Sequence, residues 1–414
     1  MKKIAIIHYS SPPVIAGVEF VIKDHVDLFV KDGHEVKIIS GKGNKYRKDI
    51  EFDEILEINP RNEQYLRMRE RFEKGENCED FEKYKNVLKN KLVRSIADVD
   101  ICIIHQALTM HFNFALTQAL TEIIDENKKI KFIHWTHDAT FLDENYSKKF
   151  NQYKNRFPWK IITKINPKIQ YISITDFRKY QFAKLFGVSS DKISTIPNGV
   201  MIENFLKLDG QTCNLISELD LFNCDIVACL PTRIVRRKNF EKAIEIIAQL
   251  KKLKLRVKYL ITGVQDYQNP DSIDYFNDLE KLILKLDMKK DVIFLSHYKF
   301  INGKEYDVKN MNILNLYLLS DFLLLPSKLE GFGLQIIESG LTKTPVICSN
   351  ILPFGEIAKK DALIFDLNDS AHNIAKNIID YLEKIPSRRL YRRTIKNFLL
   401  ENIYKMKIKP LLRK

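Results

Sequence analysis

LLLPSKLEGFGLQIIES, residues 323–339, is the stretch whose reading decides the fold. A short apolar run ends at Pro326-Ser327, a polar loop carries Glu330-Gly331-Phe332-Gly333, and helical periodicity begins near Leu334. Strand, glycine-containing loop and helix in that order are the opening of a βαβ unit, whose parallel pairing implies a doubly wound sheet. Glycines in such a loop let backbone N–H groups approach a ligand closely. The helix start behind them offers unpaired donors and a dipole that favours anionic oxygen. Glu330 stands in the loop and Glu338 about a turn into the helix, so carboxylates flank the seat for an anion. A nucleoside diphosphate sugar has the matching chemistry, hydroxyls on either side of a diphosphate.

The same rhythm extends in both directions. Downstream of Cys224, Asp225–Leu230 reads as a strand, Phe240–Leu253 as an amphipathic helix and Val257–Thr262 as a strand ending at Gly263. Helix 274–286 and strands Val292–Leu295, Phe322–Pro326 and Val346–Ser349 continue the series. Near the start, KIAIIH (Lys3 to His8) is a strand, 18–31 a helix stopped by Gly33, and EVKIIS (Glu35 to Ser40) the next strand. Asp100–Ile104, Lys131–His134 and Gln170–Ile174 are further strands, and 60–95 reads as polar helix. Patterning is weakest near 205–222. With 414 residues, too many for one core, this predicts two domains, 1–205 and 206–387.

Other segments carry candidate chemistry. Pro231 to Asn239 (PTRIVRRKN) follows a strand and precedes a helix, and two cations at an R-x4-K spacing, Arg233 and Lys238, can both face a diphosphate. Arg236 and Arg237 read as solvent-facing. Gly17 sits in the loop after the first strand, a turn signal that is evenly balanced between structure and function. His134-Trp135-Thr136-His137-Asp138 closes a strand of the first domain, where α/β sites gather. His8 and His105 also end strands. Asn198-Gly199 is a tight turn by its own chemistry, so a plain hinge turn and a ligand contact both fit it.

Glu330-x7-Glu338 enclosing GFG, joined to PS-x-x-EGFGL after a strand, resembles the signature of the retaining glycosyltransferases of family 4. The resemblance runs in order from Gly17 through His137, Asn198, Arg233, Lys238 and Glu330 to Glu338, and is thin in 44–95 and 265–312. It implies the GT-B fold: α/β, two Rossmann-like doubly wound parallel-sheet domains facing a central cleft. The first domain would take the acceptor and the second the nucleotide-sugar donor, with a C-terminal helix at about 388–414 packing back onto the first. By the same resemblance Glu330 contacts the donor sugar hydroxyls, Glu338 the ribose, and the backbone at Gly331, Phe332, Gly333 and Leu334 the diphosphate. Arg233 and Lys238 stabilise the leaving group. His137, preferred over His134, touches the sugar, while Gly17 and Asn198 approach the donor. This chain has Gln335 where proline is common, Ser339 where alanine is common, Asn239 where glycine is usual and Ala16 for the first of two glycines. Within the family, HYSSPPVIAGVE, HWTHD and RIVRRKN are similar to transferases that build mannosylglucosylglycerate-type solutes, with transferases for surface polysaccharide or glycolipid as the competitor.

The implied activity is retaining, metal-independent hexosyl transfer from a nucleotide diphosphate sugar, a co-substrate, to a hydroxyl acceptor; no cofactor is expected. The alternatives are an epimerase on the same fold and a non-catalytic nucleotide-sugar binding subunit. Composition agrees with a globular enzyme, at 45% apolar and 29% charged. The six cysteines lack CxxC or metal-ligand spacing and read as reduced thiols, so a cytoplasmic setting is expected. From Lys384 onward eleven Lys or Arg face one acid, Glu401, which supplies ten of the fourteen net positive charges. A solvated helix face and a patch for anionic membrane or an anionic acceptor both fit that run. No nucleic-acid reading motif accompanies it.

Overall fold

The computed structural model describes residues 1–264 and 270–413. The chain divides into two compact units, Met1–Gly199 with Leu400–Lys414, and Val200–Leu399. Each is built on one parallel sheet.

In the first unit the strands are β1 (Lys3–His8), β2 (Glu35–Ser40), β3 (Glu51–Glu54), β4 (Ile101–His105), β5 (Lys131–Thr136), β6 (Ile169–Ser173) and β7 (Ile193–Thr195). Their order is β3-β2-β1-β4-β5-β6-β7, all parallel. Central strands such as β4, ICIIH, are buried at every position, as a sheet covered on both faces requires. The second unit has β8 (Ile226–Leu230), β9 (Val257–Ile261), β10 (Val292–Phe294), β11 (Phe322–Leu325), β12 (Val346–Ser349) and β13 (Leu363–Phe365), in the parallel order β10-β9-β8-β11-β12-β13. Both are Rossmann-like doubly wound sheets.

The order reverses between β1 and β4 in one sheet and between β8 and β11 in the other. Connections leave these neighbouring strands toward opposite sides, so a crevice opens beyond their carboxyl ends. His8 and His105 end the first pair, and the loops at 231–239 and 326–333 leave the second. Position in the sheet thus selects the same segments that the sequence singles out.

Several elements depart from the sequence reading. The edge strands β3, β7 and β13 have no counterpart in it. EFDE at β3 carries one apolar residue, because an edge strand needs only backbone pairing; Lys37 of β2 holds Glu51 at 2.9 Å. The weakly patterned stretch near 205–222 holds two short helices of the second unit, Ile202–Leu206 and Gly210–Leu219. The chain therefore changes units at Gly199/Val200 instead of 205/206, and again at Leu399/Leu400.

The helix expected over 388–414 is divided by that second crossing. Helix Pro386–Phe398 belongs to the second unit, where Arg388 Nε donates to buried Asp321 at 3.0 Å and Arg392 Nε at 2.6 Å. Two of the eleven cations thus neutralise an interior carboxylate and are not part of a solvated face. Residues 400–413 return to the first unit, where Tyr404 Oη and Lys409 Nζ donate to Asp32 at 2.7 and 2.5 Å. Lys405, Lys407 and Arg413 stay exposed, and Lys414 lies outside the described residues.

Candidate active site

In the second unit β8 and β11 are neighbours, so the loops that follow them meet. Lys238 and Glu330 come together there as an ion pair, their side chains only 5% and 7% exposed. Ser327 Oγ donates to Glu330 Oε1 at 2.9 Å, and Arg237 Nη1 donates to Oε2 at 2.6 Å and to the Leu329 carbonyl at 3.1 Å. The Lys328 N–H donates to the Arg237 carbonyl at 2.8 Å. Burial disfavours the Glu330 carboxylate, but hydrogen bonds from Lys238 and Arg237 outweigh it and hold its pKa below the ordinary value. Glu330 is therefore an ionised acceptor in a largely buried setting.

Backbone geometry explains two departures from the family pattern. Asn239 adopts φ 57°, in the left-handed region that glycine favours and asparagine tolerates, and its Nδ2 donates to the Pro326 carbonyl at 3.0 Å. It keeps the turn and adds a tie between the two loops. Ser339 is buried and its Oγ donates to the Thr344 carbonyl at 2.8 Å, so the hydroxyl is satisfied within the helix end. Gly333 has φ 112° and precedes helix Leu334–Thr342, which no side chain caps. A Cβ on Gly333 would lie 2.9 Å from the Phe354 ring.

The remaining candidates of this unit take different positions. Arg233 is exposed and makes no hydrogen bond or ion pair among the described residues. Gly331, Phe332 and Leu334 are exposed, with Phe332 at 51%. Glu338 is exposed, and its Oε2 accepts from Tyr317 Oη at 2.6 Å. Burial and this contact raise the Tyr317 pKa. Of the two arginines expected to face solvent, Arg236 does so, lying 4.8 Å from the Tyr275 ring centre. Arg237 is exposed as well, its side chain at 47%, but its guanidinium is committed to Glu330. Sequence reading also passed over Ser327, whose partner Glu330 is only three residues on in the same loop, and Tyr317, whose partner Glu338 lies on a different helix.

In the first unit the candidates cluster as neutral rings. His8 Nδ1 donates to the His105 carbonyl at 2.9 Å, and its Nε2 lies 4.0 Å from Glu19 Oε1, which accepts from Ser10 Oγ. His105 Nδ1 and His137 Nε2 are 3.0 Å apart. Burial takes the His137 pKa down to about 3, with His8, His25 and His134 adding to the effect, and His134 likewise falls to about 3. His134 is fully buried and its Nδ1 contacts Thr136 Oγ1 at 3.0 Å. His137 is only partly covered.

Gly17 begins helix Gly17–Lys31, and a Cβ there would meet nothing within 4 Å. Its lack of a side chain answers no local demand of the fold. Gly199 is the opposite case: a Cβ would lie 2.7 Å from the backbone Cα of Leu400, so packing alone requires glycine. Asn198 is exposed. Among the described residues no group of three or more His, Cys, Asp or Glu is placed to hold a metal ion, and no helix is long and apolar enough to cross a membrane.

Comparison with known proteins matches the two units in turn. The family model for Glycosyltransferase Family 4 covers residues 15–204, and that for glycosyl transferases group 1 covers 217–398. The mannosylglucosylglycerate synthase of Petrotoga mobilis is 25% identical over 283 residues, 65% of this chain and 63% of that protein, which is less than two thirds of its length. The synthase of the same name from Thermotoga maritima is 24% identical over 83% of this chain and 80% of its own. A glycosyltransferase structure from Rickettsia africae aligns over 99% of this chain and 97% of its own, at 19% identity and a TM-score of 0.37. With both domain models matched in order and two parallel Rossmann-like sheets beneath them, the chain belongs to the GT-B glycosyltransferases of family 4.

Proposed function

We propose that this glycosyltransferase moves a hexosyl group from a nucleotide diphosphate sugar to a hydroxyl acceptor, with retention of anomeric configuration and without a metal. The observation that carries the reading is the ionised Glu330, held by Lys238, Ser327 and Arg237 beside an uncapped helix start. In this reading Glu330 accepts hydrogen bonds from sugar hydroxyls, Glu338 from the ribose, and the N–H groups around Gly331–Leu334 receive the diphosphate. Arg233, with no partner of its own among the described residues, meets the diphosphate, and Lys238 adds the second cation. The bond from the anomeric carbon to the diphosphate oxygen breaks as the bond to the acceptor oxygen forms. The acceptor proton passes to the departing diphosphate. His137, Gly17 and Asn198 serve the donor from the first unit.

The acceptor we favour is a small anionic hydroxyl compound of the glyceric-acid glycoside type, which the names of the two relatives support. A glycolipid or polysaccharide precursor at an anionic membrane is the second reading, favoured by exposed Lys405, Met406 and Lys407 on the C-terminal run. Sedimentation with anionic vesicles separates the two: pelleting supports the membrane, and a protein that stays in the supernatant supports the small solute.

The transfer itself is tested by incubating the protein with UDP-, GDP- and ADP-sugars and reading free nucleoside diphosphate, with Glu330→Ala as control. Slow release from one donor, lost in the variant, is the expected result. No release together with no nucleotide binding by calorimetry would overturn the reading.

A further inference from the structure

His105 closes β4 and pairs in register with Trp135 of β5, two residues before His137. The chain turns sharply at this point. Gln106 adopts φ 59°, a left-handed conformation that costs a non-glycine residue on the order of 1 kcal/mol, and its N–H donates to the Trp135 carbonyl at 3.0 Å. His8 Nδ1 donates to the His105 carbonyl from the neighbouring strand. The backbone that carries His105 is thus fixed from both sides.

The side chain is fixed as well. His105 is fully buried, its ring stacked on Trp135 with centres 5.9 Å apart and 5.6 Å from the His25 ring. On its other side it stacks on His137 at 5.3 Å and 20°. Of its two nitrogens, Nδ1 lies 3.0 Å from His137 Nε2, and Nε2 has no hydrogen-bond partner among the described residues.

These contacts select a tautomer. A neutral imidazole carries one N–H and one lone pair. With the proton on Nε2, His105 would bury a donor without an acceptor, the more costly arrangement; with the proton on Nδ1, that donor is satisfied by His137. His137 Nε2 must then accept, so its own proton resides on Nδ1. Burial keeps both rings neutral at physiological pH, the His137 pKa being about 3 and that of His105 well below its ordinary value.

We infer that His105 is a positioning residue that fixes His137 as the neutral Nδ1–H tautomer and so presents a hydrogen-bond donor to an oxygen of the bound donor sugar. The inference rests on the proposed transfer for the identity of the ligand, but the tautomer itself can be read without any substrate.

The test uses the full chain with 15N-labelled histidine, His137 being assigned by the signal missing in His137→Gln. Wild type should show His137 protonated on Nδ1. His105→Asn, whose amide can still donate, should keep that form. His105→Phe, which fills the space but donates nothing, should move it toward the Nε2–H form. In donor turnover His105→Phe should lower kcat/KM about 10- to 30-fold and His105→Asn less than about threefold, a loss of the size expected for one oriented hydrogen bond. A wild-type His137 protonated on Nε2, or a tautomer that does not respond to His105→Phe, would overturn the inference. A tautomer shift with unchanged turnover would support the positioning and instead overturn the contact between His137 and the donor. If His105→Phe fails to fold, the wild-type spectrum and His105→Asn still decide.

Discussion

The two units place their chemistry at the same point of the same kind of sheet, yet by opposite electrostatic means. At the β8/β11 reversal charges are brought together and paired: Lys238 and Arg237 around Glu330, and, at the other end of these strands, Arg388 and Arg392 around Asp321. At the β1/β4 reversal burial strips charge away, leaving His8, His105 and His137 as neutral hydrogen-bonding rings. Seven of the nine histidines lie in the first unit. The difference teaches that the same position in the same kind of sheet can carry opposite electrostatics, set by local desolvation and pairing: paired ions in one unit, neutral rings in the other. In the proposed reading these are what the ligand is offered.

The sharpest way to break this comparison is to remove a charge from the paired side. Lys238→Ala leaves a nearly buried carboxylate with fewer donors, and donor turnover should fall about 100- to 1,000-fold in kcat/KM. A loss below tenfold would mean that the pair is structural. Acid separates the units next. A histidine whose folded pKa is depressed binds its proton more readily when unfolded, so stability is intact above about 6.5 and declines as pH falls toward the folded value. His25, His111, His134 and His137 all stand at about 3. At pH 5 each should cost the first unit roughly 1–2 kcal/mol. Hydrogen exchange followed by mass spectrometry should show peptides of the first unit losing protection before those of the second; simultaneous loss would contradict the contrast.

Two glycines give a smaller effect within one unit. Gly199→Ala should destabilise the first unit by about 1–3 kcal/mol, because backbone, not a flexible side chain, occupies the space. Gly17→Ala should leave stability within about 0.5 kcal/mol while lowering donor turnover, since its surroundings are open. Melting curves and turnover on the same preparations check both. Smallest of all, Arg237→Ala should reduce turnover about three- to tenfold, its side chain being half exposed and its ion pair correspondingly screened.

What the sequence disclosed follows from which interactions are local. The loop-to-helix signals at Gly333 and the apolar runs of the central strands depend on neighbours a few residues away, so their spacing reveals them. Arg237 could not be distinguished from Arg236, because its partner Glu330 lies 93 residues on. The Asn198-Gly199 turn was evenly balanced until Leu400 was seen to occupy the space beside it. The basic C-terminal run looked uniform, yet Arg388 and Arg392 answer a buried acid in one unit and Lys409 answers Asp32 in the other. Edge strands such as EFDE gave no signal, since hydrogen bonding to one neighbour asks little of the side chains.

The return of residues 400–414 to the first unit has a consequence for how the protein is made. Ile403, Tyr404, Ile408, Leu411 and Leu412 are buried there, so the first half of the chain leaves the ribosome with an apolar face whose cover has not yet been synthesised. The whole of the second unit is translated in between. The unit that starts first therefore finishes last, and a chimera that exchanges the first unit must carry 1–199 and 400–414 from the same parent.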